Sequence, residues 1–115
     1  MKWLVCGGRN YADEQYVRQR LDLFVADFGK PAIIIEGGAP GVDSYAQSWA
    51  ISHGIHVATV LPLWDKLGRA AGPKRNAAML DLCPNLVIAF PGGKGTENMI
   101  RQAEDANVRV LRQIK

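Results

Sequence analysis

The fold of this chain is decided by the stretch Leu86-Val87-Ile88-Ala89-Phe90-Pro91-Gly92-Gly93-Lys94-Gly95-Thr96. Its apolar start, its glycines and the helical spacing of Met99, Ile100 and Ala103 behind them predict a strand, a tight turn and a helix start. Glycines let backbone N–H groups approach a ligand, and the helix directs partial positive charge to the same point. The turn therefore favours an anion such as phosphate. A loop that needs glycine only for its dihedral angles is the alternative.

The composition indicates one ordinary domain that spans residues 1–115. The chain is 48% hydrophobic, enough for a single core, and its net charge of +3 comes from scattered basic residues. Cys6 and Cys83 have no metal-ligand spacing, so we expect packed thiols and no metal site. We also expect no cofactor. The early glycines and the lack of a long apolar run predict a cytoplasmic protein without a membrane segment.

The apolar runs alternate with helical patterns along the whole chain. Val17, Leu21, Phe24 and Phe28 form a helical stripe, which Asp13 is placed to cap. Alternation of this kind predicts an α/β, Rossmann-like, doubly wound parallel sheet of about five strands with helices on both faces, and we assume the common strand order 3-2-1-4-5. The expected strands are residues 3–6, 32–35, 56–61, 86–90 and 108–111.

The stretch between the third and fourth strands carries further signals. Residues 62–72 show no clear period and are expected to be the longest irregular connection, which is more often functional than idle. A helix from about Pro73 to Leu82 would carry Arg75 and Asn76 in its first turn, where a cation suggests an anionic partner.

Three glycine-rich turns follow predicted strands, at Gly7-Gly8-Arg9, at residues 36–41 and at residues 91–96. In the assumed strand order, the carboxyl ends of these strands share one rim of the sheet with the start of the Arg75 helix. This convergence favours an anion-binding site over turns that need glycine only for their conformation.

These motifs, taken in order, resemble those of the SLOG superfamily, named for Smf (DNA-processing protein A) and Lonely Guy, and especially its YspA/cpYpsA-related branch. The resemblance covers nearly the whole chain. It implies a Rossmann-like fold, often homodimeric, that binds nucleotides or nucleotide-derived ligands through these loops. The motifs are Gly7-Gly8-Arg9, residues 36–43, Trp64-Asp65 through Ala71-Gly72, residues 75–79 and residues 91–96.

The enzymatic relatives of Lonely Guy hydrolyse the N-glycosidic bond of nucleoside monophosphates, and they carry an Arg and a Met before the motif PGGxGTxxE. Arg75 and Met79 match the first pair, and residues 91–96 match the start of the second motif. The position of the motif's glutamate holds Met99. The nearest acid, Glu97, lies roughly 200° away around the helix. The resemblance therefore favours nucleotide binding, with a nucleotide N-glycosidase that uses Arg75 and Glu97 as the alternative.

Several of these residues have a structural role open to them beside the functional one. Arg75 suits bidentate phosphate binding or a salt bridge to Asp43 or Asp65. Glu97 suits catalysis or an i, i+4 pair with Arg101.

The remaining candidates divide in the same way. Asp43 suits a helix cap, and either Asp43 or Glu36 suits a hydrogen bond to a ribose hydroxyl. Thr96 suits an N-cap that also touches phosphate. Trp64 suits base stacking, whereas Trp49 lies on a core stripe.

The sequence thus predicts a nucleotide or nucleotide-derived ligand and a homodimer, with single-stranded DNA as a second alternative. The candidate ligand-binding residues are Gly7, Gly8, Arg9, Gly37, Gly38, Gly41, Asp43, Trp64, Arg75, Asn76, Pro91, Gly92, Gly93, Lys94, Gly95 and Thr96.

Overall fold

The computed structural model describes all 115 residues, and its centre is a five-stranded parallel sheet in the order β3-β2-β1-β4-β5. The predicted fold class and strand order are confirmed. Both ends of every observed strand lie within two residues of the predicted boundaries. They are β1 (Lys2–Cys6), β2 (Ile33–Glu36), β3 (His56–Thr59), β4 (Leu86–Ala89) and β5 (Arg109–Arg112).

Five helices connect the strands and cover both faces of the sheet. A short 3₁₀ turn over Gly68–Ala70 joins the third helix to the fourth. No helix combines the length and the apolar composition that crossing a lipid bilayer requires. The helices are α1 (Glu14–Phe28), α2 (Val42–Ser52), α3 (Trp64–Leu67), α4 (Ala71–Leu80) and α5 (Lys94–Asp105).

Alternate residues of each strand feed two apolar cores, one on each face of the sheet. Trp3 and Val5 of β1 pack with α1 and α2, where Trp3 stacks on Trp49 at 6.3 Å between ring centroids. Leu4 and Cys6 of the same strand pack with α4 and α5. Because strand side chains alternate between faces, one five-residue strand serves both cores.

Some local expectations were wrong. The supposed irregular connection over residues 62–72 contains α3, the 3₁₀ turn and the first two residues of α4. A four-residue helix is too short to show a hydrophobic period, so the sequence pattern could not reveal it. Cys83 is exposed instead of packed, whereas Cys6 is buried as expected.

Candidate functional site

A cleft of about 340 Å³ lies where β1, β2 and β4 end and α4 and α5 begin. It has the size of a small-molecule site and the position at which parallel sheets bind ligands, next to the point where the strand order reverses. It is lined by Cys6, Gly7, Gly8, Arg9, Gly37, Ala39, Asp43, Pro62, Trp64, Gly72, Arg75, Asn76, Met79, Gly93, Lys94, Gly95, Thr96 and Met99.

The start of α5 presents open backbone donors to this cleft. Gly93 occupies the N-cap position, and no side chain caps the helix. The N–H groups of Lys94, Gly95 and Thr96 make no hydrogen bond, and the first N–H with a partner is that of Glu97, which donates to the Gly93 carbonyl at 3.1 Å. Three free amides at the positive end of a helix form a site suited to an anion.

The glycine loops are held together by contacts that exclude a side chain. The N–H of Gly8 donates to the Pro91 carbonyl at 2.9 Å. A Cβ on Gly92 would lie 2.2 Å from Oγ1 of Thr96. Gly41 has a φ of 77°, and a Cβ there would lie 2.3 Å from the Gly8 carbonyl oxygen. These glycines therefore join one loop to the next.

Arg75 and Asn76 connect α4 to two of the loops. Arg75 donates through Nη1 to the Gly37 carbonyl at 2.7 Å and through Nε to Oδ1 of Asn76 at 3.1 Å. Asn76, only 3% exposed, donates to the Gly95 carbonyl at 3.2 Å and to Asn98 at 3.0 Å. Nη2 of Arg75 has no protein partner, so the guanidinium is fixed in place with donors left for a ligand.

Two buried acids stand behind the second glycine loop. Glu36 is 1% exposed, and it accepts hydrogen bonds from the N–H of Gly38 at 2.6 Å and from the hydroxyl of Thr59. Asp43 is 5% exposed and accepts from the N–H of Ala39 at 3.2 Å. Glu36 thus stabilises the loop, whereas Asp43 also lines the cleft.

Burial shapes the ionisation of the cleft. Burial raises the pKa of Asp43 to about 6, and the neighbouring Glu36 adds to the rise, while the N–H groups of Ala39 and Gly37 and the Arg75 guanidinium oppose it. Burial also raises the pKa of the Cys6 thiol far above its ordinary range. The floor of the cleft is therefore a neutral thiol, and Asp43 is a carboxyl that titrates close to neutral pH.

The mouth of the cleft is partly apolar. Trp64 of α3 is 56% exposed while it lines the cleft, and Leu61 and Leu63 beside it are also more than half exposed. Gly72 approaches the Trp64 ring, since its Cβ would lie 3.6 Å from that ring. Exposed Arg9 and Lys94 add positive charge at the same opening.

The structure brings most of the sequence-predicted site residues into the cleft wall. Four of the predicted residues do not line the cleft and shape the loops instead: Gly38, Gly41, Pro91 and Gly92. Glu97 lies outside the lining. Of the residues that sequence reasoning missed, Met79 and Met99 close the apolar wall, and the i, i+4 spacing of Met79 from Arg75 was the available signal. The other missed lining residues are Cys6, Ala39, Pro62 and Gly72.

Several structural roles predicted for these residues were wrong. Asp43 is not the cap of α2, because Gly41 holds that position. Thr96 is the third residue of α5 and does not cap it. Arg75 lies in the second turn of α4 and makes no ion pair. Glu97 pairs with Arg112 of β5 at 3.1 Å instead of with a residue of its own helix.

Comparison with known proteins agrees with this architecture. Residues 1–67 match a family model described as the YspA, cpYpsA-related SLOG family. The Gene 61 protein of Mycobacterium phage D29 is 31% identical over 117 residues, an alignment that covers 94% of this chain and 92% of the phage protein. DNA processing protein A from Streptococcus pneumoniae shares the fold with a TM-score of 0.75 at 18% identity, over 96% of this chain. This chain spans about half of that protein, 49% of its length.

Proposed function

The chain belongs to the YspA, cpYpsA-related SLOG family, and on that premise we propose that it binds a nucleotide or nucleotide-derived ligand in the cleft. The ligand's phosphate lies at the start of α5. The observation that carries the proposal is the set of three unpartnered amides of Lys94, Gly95 and Thr96 on the same cleft as the free Nη2 of Arg75.

A phosphate matches this arrangement for physical reasons. Its oxygens accept several hydrogen bonds at once, and backbone amides at a helix start supply them without any side-chain reorganisation. Arg75 is held by Gly37 and Asn76, so little conformational entropy is lost when it binds an anion. Trp64 offers an exposed aromatic face for the base at the opening.

Isothermal titration tests this proposal directly. The wild-type protein is titrated with the nucleoside 5′-monophosphates, NAD and ADP-ribose. We expect binding of at least one of them and a loss of about tenfold or more in the Arg75→Ala variant, as removal of a charge-assisted hydrogen bond predicts.

Arg101→Ala is the matched control for this experiment. Arg101 is exposed on α5 outside the cleft, so its removal changes the net charge by the same amount without touching the site. Absence of binding at millimolar ligand would contradict the proposal. So would equal losses in the two variants, because the effect would then come from net charge alone.

A second candidate function is cleavage of the N-glycosidic bond of the bound nucleotide. Asp43 favours it, since a carboxyl with a pKa of about 6 in a cleft is a suitable general base for water. Release of free base from nucleotides is the assay. Loss of base release in Asp43→Asn would assign the catalytic role to the carboxyl in the cleft. Loss in Glu97→Gln would assign it to the carboxyl that pairs with Arg112.

A further inference from the structure

Asp43 is the single acidic residue that lines the cleft. Asp43 as a whole residue is 5% exposed, and its carboxyl accepts one hydrogen bond of ordinary geometry, from the N–H of Ala39 to Oδ2 at 3.2 Å, while the N–H of Gly37 also lowers its pKa. The other oxygen, Oδ1, makes no hydrogen bond. A buried carboxyl normally has its acceptor sites filled. Asp43 therefore retains acceptor capacity at the wall of the cleft.

The acid at the end of β2 cannot serve the ligand in its place. Both carboxylate oxygens of Glu36 are taken, one by the N–H of Gly38 and the other by the hydroxyl of Thr59. Glu36 is also 1% exposed and absent from the cleft wall. Of the two buried acids, only Asp43 is available to a bound molecule.

Asp43 and Arg75 both approach Gly37 where a side chain would begin. A Cβ on Gly37 would be 2.4 Å from Nη1 of Arg75 and 3.1 Å from Oδ2 of Asp43, so only glycine lets the two charged groups approach the loop. They form no ion pair with each other. The cleft thus places a group that only accepts hydrogen bonds beside one that only donates them.

We infer that Asp43 binds the 2′-hydroxyl of the ligand's ribose, so that the cleft selects ribonucleotides over 2′-deoxyribonucleotides. The inference rests on the proposed function, because it takes the phosphate at α5 as its starting point. In a nucleotide the sugar follows the phosphate directly. The acceptor-only group next to the cation is therefore placed for hydroxyl groups, which donate to a carboxylate.

The experiment compares the four ribonucleoside 5′-monophosphates with their 2′-deoxy counterparts by isothermal titration, with inorganic phosphate as the reference. A hydrogen bond to a charged group predicts that wild type binds the ribonucleotides about tenfold or more tightly. In Asp43→Asn the ratio of ribo to deoxy affinity falls towards one, while the affinity for inorganic phosphate does not fall, because the substitution removes a negative charge beside Arg75. Thermal unfolding of the variant confirms that it is folded.

Two results would overturn the inference while leaving nucleotide binding intact. One is equal affinity of the wild type for the two sugar series, which needs no variant at all. The other is an equal loss of both series in Asp43→Asn. If neither series binds, the proposed function itself fails, and the two failures are thereby distinguished.

The pH gives a further readout. The ribo to deoxy ratio of the wild type falls as the pH drops below about 6, because the carboxylate becomes protonated. Both nucleotides carry the same phosphate, so its own titration cancels in the ratio. The groups that face Asp43 are Glu36 of β2, Arg75 of α4 and the Cys6 thiol of β1. A ratio that is constant over pH 5 to 8 would contradict a role for the carboxylate.

Discussion

Helices α1 and α5 begin at the same edge of the sheet, but the first amides of α1 are capped by a side chain and those of α5 are not. Asp13 caps α1, and its carboxylate accepts the N–H of Tyr16 at 3.0 Å. Gly93 starts α5 with no side chain, and the three N–H groups that follow stay open. A capping side chain stabilises a protein by roughly 1 kcal/mol relative to alanine and by about a few tenths relative to glycine. The start of α5 forgoes that stabilisation, which is typical of a surface kept for a ligand.

Gly93→Asp turns the start of α5 into a copy of the start of α1, and it has the largest expected effect. The space around Gly93 is open, with no atom within 4 Å of an added Cβ. We expect nucleotide affinity to fall about 1000-fold, because up to three charge-assisted hydrogen bonds of roughly 1.5 kcal/mol each are lost. The free energy of unfolding should rise by roughly a few tenths of a kcal/mol, because glycine is itself tolerated well at an N-cap.

Titration calorimetry and urea denaturation measure these two changes. Gly93→Ala adds a Cβ without an acceptor, so it serves as the control and should bind nearly as the wild type does. Retained nucleotide affinity in Gly93→Asp would show that the amides of α5 do not hold the phosphate.

Asp43→Asn, in the first turn of α2, tests how the buried carboxylate affects stability, and its expected effect is intermediate in size. Its folded-state pKa of about 6 lies above the ordinary aspartate value of 3.8, so the stabilisation from this group is fully present below that lower value and is lost as the pH rises through 6. At pH 7.5 the variant should therefore be more stable by about 2 to 3 kcal/mol, at roughly 1.4 kcal/mol per pKa unit.

Urea denaturation at several pH values measures this difference, which should shrink towards zero at pH 4. A difference that is independent of pH would mean that packing, and not ionisation of Asp43, separates the two proteins.

Asp13→Ala removes the cap of α1, the helix whose first amides are used for stability and not for a ligand. The N–H of Tyr16 loses its acceptor, so we expect the free energy of unfolding to fall by about 1 kcal/mol. Nucleotide affinity should not change, because Asp13 does not line the cleft. A matching loss of affinity would couple the two helix starts and contradict their separate roles.

Glu97→Gln has the smallest expected effect. Glu97 lies in the first turn of α5 but pairs with Arg112 at an exposed position, where ion pairs contribute about 0.5 kcal/mol or less. Both stability and nucleotide affinity should stay within that margin. A large drop in base release, should the protein cleave nucleotides, would instead restore Glu97 as a catalytic candidate.

The sequence predicted the sheet because each strand leaves a strong local signal. The β-branched run Ile33-Ile34-Ile35 and the glycines after it are readable without any knowledge of the fold. Met99, on the apolar stripe of α5, is fully buried as its spacing indicated.

Details of the site were less accessible because they depend on contacts between distant residues. Arg75 donates to the carbonyl of Gly37, 38 positions away, and no rule of sequence spacing predicts this hydrogen bond in place of an ion pair. The same holds for Glu97 and Arg112, which belong to different elements. Whether a glycine faces a ligand or a neighbouring loop is likewise decided by packing, as the contrast of Gly93 with Gly92 illustrates.

The three tryptophans of the chain differ in exposure, so their fluorescence can distinguish the cleft from the core. Trp3 and Trp49 are stacked and have no exposed surface, whereas Trp64 stands half exposed at the opening. An aqueous quencher such as iodide therefore reaches the emission of Trp64 alone. A Trp64→Phe variant would remove the quenchable fraction, so intrinsic fluorescence can report occupancy of the opening without any attached dye.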